Sequence, residues 1–260
     1  MNKFLLKALV FASVNIAVFA DAQFRTRNRM DRLESFDQQK FSWGFYLNGN
    51  MLDYHIVLNP RYGMDGNANL VTSKPSYSFG AGLIAKLRIN DHLDLRMEPG
   101  LQFGQRQIVF YTQPNDKYQA GTLTNPPFSP IGLAEKDTHR EVKSTLVDVP
   151  VLLELHGNRW YNSRPYVAAG VNYIMNLQSN SDSTEDNLQG VFRSTTHNFA
   201  WSAELGIQFY FNKFKLTPAV RGTFFMNNEI VADNATTPPY WTAAMSTLQT
   251  RAVMFVLKFE

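Results

Sequence analysis

No cysteine occurs in the 260 residues of the chain. Disulfides, thiol catalysis and cysteine-ligated metals are therefore excluded, and so is a lipidated anchor, which would need a cysteine beside its cleavage site. An excess of charge of one sign is lacking too: 25 Lys and Arg stand against 22 Asp and Glu, a net +3, and the basic residues are scattered. Nucleic acid, bound through clustered basic residues, is not an expected partner. Beyond the first residues there is no long apolar run, which excludes membrane-spanning helices. It does not exclude a transmembrane β-barrel, where only every second residue meets lipid. Internal repeats and low-complexity tracts are also missing.

The one apolar run is Ala8 to Ala20, preceded by Lys3 and Lys7 and followed by Ala20-Asp21-Ala22. It is shorter than the ~20 residues a spanning helix needs, and its layout predicts a signal peptide over residues 1–22 that is removed to leave Gln23. Residues 23–40, "QFRTRNRMDRLESFDQQK", show no β alternation and mix Arg25, Arg27, Arg29 and Arg32 with Asp31, Glu34 and Asp37. They are expected to form a periplasmic segment, with the four arginines as candidate partner contacts. The remaining residues, 41–260, are enough for one barrel domain.

What the chain has in quantity is alternation. In "YSFGAGLIAKLRINDHLDLRMEPGLQFGQR", Tyr77, Phe79, Ala81, Leu83, Ala85, Leu87 and Ile89 alternate with Ser78, Gly80, Gly82, Ile84, Lys86 and Arg88. After Asn90-Asp91, Leu93, Leu95, Met97, Leu101 and Phe103 alternate with Asp94, Arg96, Glu98, Gly100, Gln102 and Gly104. Period two means strand, and Asn-Asp is a turn. The same signal predicts about eight strands, near Phe41 to Leu52, Ser76 to Ile89, His92 to Tyr111, Val142 to Leu155, Arg164 to Leu177, Asn198 to Phe211, Lys213 to Met226 and Leu248 to Phe259. Most of them reach or exceed the ~10 residues of a tilted bilayer crossing. Long and short connections alternate strictly along them.

These features predict an all-β fold, a transmembrane antiparallel up-and-down barrel with short periplasmic turns, long extracellular loops and both termini in the periplasm. The charged parity is then the lumen, where Lys86, Arg88, Arg96, Lys215 and Arg221 meet Asp94, Glu98, Asp148, Glu154 and Glu204. A bore of eight strands is just wide enough to be filled by side chains, so a plugged, ion-paired core is expected, in a barrel that is monomeric and surrounded by outer-membrane lipid. A soluble barrel with reversed parity is disfavoured by glycines at 80, 82, 100, 104 and 206 on the charged side, and by aromatics at the strand ends such as Trp43, Tyr77, Phe110 and Trp201.

Chemistry-bearing patterns are few. His55, His92, His139, His156 and His197 stand in no metal-binding spacing, so no metal is expected, and no cofactor. "SDSTED", with Asp182, Glu185 and Asp186, lacks the glycine and spacing of an EF-hand loop and reads as a solvated acidic loop. Asp53 and His55, with Ser73 or Ser194, are what an outer-rim enzyme would use, yet no spacing demands one, and no catalytic residues are assigned. "TNPPFSP" and "TTPPYW" are stiff loop pieces, the second offering Tyr240 and Trp241 as candidate partner contacts.

The segment "RNRMDRLESFDQQKFSWGFYLNGN", Arg27 to Asn50, with "DYHIVLNPRYG", Asp53 to Gly63, and the hairpin above, resembles the PorT family, also called SprT. These are small outer-membrane barrels of Bacteroidetes associated with the type IX secretion system and, in gliding species, with surface motility. "VDVPVLLEL", Val147 to Leu155, resembles a strand common to the broader family of such barrels, with Asp148 where Glu is more usual. Phe259 is followed by Glu260, whereas many outer-membrane barrels end on an aromatic residue. The resemblance implies a non-enzymatic accessory or assembly component of protein export whose partners are other secretion-system proteins. The alternatives are a structural or adhesion barrel and, less favoured, a lipid-modifying enzyme.

Overall fold

The computed structural model describes residues 32–33, 35–60, 64–65, 68–110, 139–183, 192–231, 242 and 244–260. A 3-10 helix at Phe36–Gln38 precedes twelve strands. They are β1 (Phe41–Leu58), β2 (Met64–Asp65), β3 (Ala68–Asn69), β4 (Val71–Lys74), β5 (Ser76–Arg88), β6 (Leu93–Met97), β7 (Gly100–Phe110), β8 (His139–His156), β9 (Ser163–Asn176), β10 (His197–Tyr210), β11 (Lys215–Phe225) and β12 (Met245–Phe259). Among the described residues no helix is long and apolar enough to cross a membrane.

Each long strand pairs antiparallel with its neighbours, and β1 pairs with both β5 and β12, which closes the ring. With β6 and β7 counted as one stave, eight staves form the expected up-and-down barrel. The third stave is not the continuous strand that alternation predicts. Pro99 has no N–H to give the ladder, so pairing stops at Glu98–Pro99 while the Pro99 carbonyl still accepts from Leu83 N at 2.9 Å.

Strand lengths differ most at the end carrying the long connections. β1 runs on to Leu58, β8 starts at His139, β12 starts at Met245, and β4 pairs with β7 inside the segment expected to be a loop. There the polarity pattern fades, because Tyr54, Ile108, Phe110, Val142, Met245 and Leu248 pack apolar surface inside the wall. With apolar residues on the inner face, period two in polarity no longer marks strand.

Over the middle of the barrel, burial alternates with sequence parity. β10 sets Asn198, Ala200, Ser202 and Glu204 inside and Phe199, Trp201, Ala203 and Leu205 outside. The outer face is apolar around the ring, with Trp43, Phe45, Leu83, Leu153, Val171, Leu205, Val220 and Phe255 all exposed. Slipping any strand by one residue would move buried charges onto this face, so the register is strongly specified. Close packing inside demands glycine at set positions: a Cβ on Gly206 would lie 2.6 Å from the Tyr166 ring, and one on Gly82 2.5 Å from the Tyr46 ring.

Candidate functional site

The lumen narrows to a layer of charge. β11 and β10 place Arg221 opposite Glu204, and Arg221 Nε donates to Glu204 Oε2 at 2.7 Å while its Nη2 also reaches Glu98. Lys258, from β12, donates to Glu98 at 2.7 Å and Glu204 at 2.5 Å, so two cations and two carboxylates close a square. Beside it Arg96 contacts Glu98 at 3.2 Å, Glu154 more closely, and Glu260 at 3.6 Å; Lys215 pairs with Glu260. Tyr166 donates to Glu204 at 2.6 Å and Gln208 to Glu154 at 2.5 Å.

Arg96, Lys215, Arg221 and Lys258 thus face Glu98, Glu154, Glu204 and Glu260, and every one of these side chains is fully buried. Charges out of water persist only when paired and hydrogen-bonded. Among the described residues the layer is balanced in charge across the bore, while Arg96 Nε and Nη2, Arg221 Nη1, Lys215 Nζ and both Glu260 side-chain oxygens lack hydrogen-bond partners.

The other luminal residues lie to either side. Towards the short-turn mouth, Lys86 Nζ stands 3.5 Å from Asp94 Oδ2, and His156 Nε2 3.3 Å from the same oxygen. Arg88 shares their parity but lies outside the buried set: β5 ends there, and the guanidinium, a third exposed, pairs with Asp91 on the rim. Asp148 is buried beyond the layer and accepts from the Asn172 amide at 2.8 Å, not from a cation. Three buried ionic groups in these sets come from outside the expected network: Lys258, Glu260 and His156.

A stopper covers the short-turn mouth. Asp37, in the 3-10 helix, accepts from Tyr210 Oη at 2.8 Å and lies 3.6 Å from Arg159 and 3.7 Å from Arg164. Phe36 lies beneath the ammonium groups of Lys215 and Lys86, at 5.0 and 5.8 Å from the ring centre. Arg32 is tied by its backbone, N–H to Asn162 at 3.0 Å and C=O to Arg159. The part of the expected periplasmic segment that is described is therefore docked on the barrel, while Arg25, Arg27 and Arg29 lie outside the described residues.

At the other mouth Arg106 donates to Ser144 and Thr250, stacks on Tyr54 at 4.4 Å, and lies 3.6 Å from Glu229. Glu229 comes from the connection after β11 and also accepts from Thr250 N. Burial raises its carboxyl pKa above the usual carboxylate range, against the opposing pull of Arg106 and the Thr250 donor.

The residues of a possible outer-rim enzyme are not assembled. Ser73 Oγ donates straight to Asp53 at 2.5 Å, with no imidazole between them. His55 Nδ1 is buried without a hydrogen-bond partner, and Ser194 is engaged by Asn176 at 3.1 Å in another part of the rim. Glu185 and Asp186 of the acidic loop, and Tyr240 and Trp241, lie outside the described residues.

Residues 19–231 match the model of a family described as outer membrane protein beta-barrel domain. Among solved structures the chain is similar to Neisserial surface protein A (10% identity, 85% of this chain and 98% of that one, TM-score 0.38). It is similar also to OprG from Pseudomonas aeruginosa (13%, 85% and 95%, TM-score 0.40). A third is Ail of Yersinia pestis in complex with the heparin analogue sucrose octasulfate (8%, 85% and 99%, TM-score 0.34). Likeness at this level establishes no residue correspondence. No curated protein matches the sequence.

Proposed function

The chain belongs to the family of outer membrane protein β-barrel domains, matched over residues 19–231, and from that premise we propose that it is a non-enzymatic accessory or assembly component of protein export by the type IX secretion system. The observation that carries this reading is the buried, charge-balanced layer of four cations and four carboxylates across the bore. A barrel filled in this way passes neither solutes nor protein, since an open channel takes many more strands. Such a barrel acts through its mouths and loops. The system it serves is suggested by the PorT-like stretch from Arg27 to Gly63.

In this reading the barrel is oriented as its family topology implies, with short turns and both termini in the periplasm and long loops outside. The docked Asp37 segment then offers a contact surface at the periplasmic mouth, with Arg25, Arg27, Arg29 and Arg32 as the candidate contacts for other secretion-system proteins. The long connections offer the second contact surface, with Tyr240 and Trp241 as anchors. In a gliding species motility would depend on the protein through the same export.

The test is proteomics of culture fluid and periplasm from a strain lacking the protein, beside a complemented control. Accumulation of export substrates in the periplasm of the deletion strain is expected. An unchanged distribution with normal barrel insertion in the control would remove the export role and leave a structural or adhesion barrel.

A further inference from the structure

We propose that Asp94, Glu154 and His156 form a binding site for a divalent transition-metal ion of the Zn2+ class, reached from the short-turn mouth. The β6–β8 register sets Asp94 directly opposite Glu154, and His156 follows two residues along β8 on the same inner face. Like charges directly opposite across a ladder repel, and here both are buried. One carboxylate oxygen from each and an imidazole nitrogen lie within 4.8 Å of one another. A single ion with bonds of ~2.0–2.2 Å is coordinated by such a set after small side-chain adjustment, with water completing the shell.

Two further observations point to a ligand. His156 is buried with Nδ1 lacking a hydrogen-bond partner, its ring placed by Nε2 on Asp94 and by the neighbouring His92 ring. The site also borders a cavity of about 480 Å³ at the short-turn mouth, lined by Asp94 and His156 together with Lys86, Asp91, His92 and Arg164. Asp37, Gln38 and Gln39 of the docked segment also line this cavity, so an ion reaches the site past that segment.

Lys86 supplies positive charge at 3.5 Å from Asp94, while Arg96 and the Gln208 amide each hold one oxygen of Glu154, which a bound ion would share with them. Arg96 is locked between carboxylates, but the Lys86 ammonium sits on a flexible stem that lines the cavity beside Asp91. The metal displaces that ammonium. Binding is therefore competitive with Lys86, and imidazole with two carboxylates favours Zn2+, Ni2+ or Cu2+ over Ca2+ or Mg2+. Sequence spacing did not reveal this set, because its members are joined by strand register and not by a local motif.

The experiment is calorimetric titration of ZnCl2 into the chelator-treated, folded full-length barrel in detergent micelles. One equivalent is expected to bind. Asp94→Asn and His156→Gln should each weaken binding at least tenfold, Lys86→Gln should tighten it, and His139→Gln and His197→Gln should leave it unchanged. Absence of stoichiometric binding overturns the proposal. So does binding that survives His156→Gln, which would place the ion on surface imidazoles, or a Lys86→Gln variant that binds more weakly. The lysine variant tests the site even if loss of His156 prevents folding, as does the visible spectrum of Co2+ added to the unaltered protein, where no imidazole-ligated band would equally refute it.

Discussion

Replacing Arg221 by Met removes one corner of the square while leaving Glu98 and Glu204 in place. Arg221 Nε lies 2.7 Å from Glu204 Oε2, and at an effective dielectric of about 20 one such pair attracts by ~6 kcal/mol before desolvation is counted. Desolvating the ions offsets most of that, so the intact set contributes little net stability. The variant is a different matter, because Glu204 is left with Lys258 as its one cation and Glu98 must share that lysine, with Arg96 at 3.2 Å on its other side. A loss of about 3–5 kcal/mol is expected, as for other buried pairs broken on one side. Adding Glu204→Gln should recover part of it by removing the uncompensated charge. Arg88→Met, which breaks the rim pair with Asp91, should cost at most ~1 kcal/mol. The assay is urea unfolding in lipid vesicles, followed by tryptophan fluorescence and by loss of the fast-migrating folded band. A cost at Arg221 no greater than that at Arg88, or no coupling to Glu204→Gln, would refute the ion-paired layer.

Three further outcomes follow from the same structure. The raised pKa of Glu229 means that the folded chain holds its proton to higher pH than the unfolded chain, so the contribution of this group falls as pH rises from ~4.3 through the folded value. The stability of the native chain minus that of Glu229→Gln should therefore decline across this window in denaturant titrations, and a rise would contradict it. Gly206→Ala should cost ~1–3 kcal/mol by driving a methyl into the Tyr166 ring, and less when Tyr166→Leu is present, as thermal unfolding of the double variant would show. Asp37→Asn should loosen the stopper without unfolding the barrel; trypsin should then cut at Arg32 and Lys40 faster while the barrel core stays resistant, and unchanged cleavage would mean that the Asp37 contacts do not hold the segment.

Much of the architecture was legible because lipid outside and charge inside impose the same period on every stave. β5 and β10 could be placed to within a residue from parity alone. Legibility stopped where the inner face ceases to be polar. Between Asp53 and Leu58, and again from Met245 to Thr247, the inner face turns apolar and the outer face mixed, so the strand continues while its sequence signature does not. The break at Glu98–Pro99 had a local signal in the proline, but the alternation on both sides concealed it.

The ionic layer shows the same division. Arg96, Glu154, Glu204, Lys215 and Arg221 lie in strands whose other parity is plainly apolar, and Glu98 continues the parity of β6 into the break, so parity is enough to turn them inward. β12 gives no such contrast, since Ala252, Met254 and Val256 line the lumen while Val253, Phe255 and Leu257 face out. Only pairing decides the side on which Lys258 falls: it sits opposite Tyr46 on β1 and Thr217 on β11, both inward. Glu260 follows on that parity and lies where Lys215 and Arg96 need a carboxylate. Without these two groups the layer would hold three cations against three carboxylates, balanced in number, yet Lys215 would have no buried anion and Glu98 and Glu204 only Arg221 to join them. Balance in charge count is therefore a poor guide to the network, and cross-strand register is the quantity that determines which charges can be buried together.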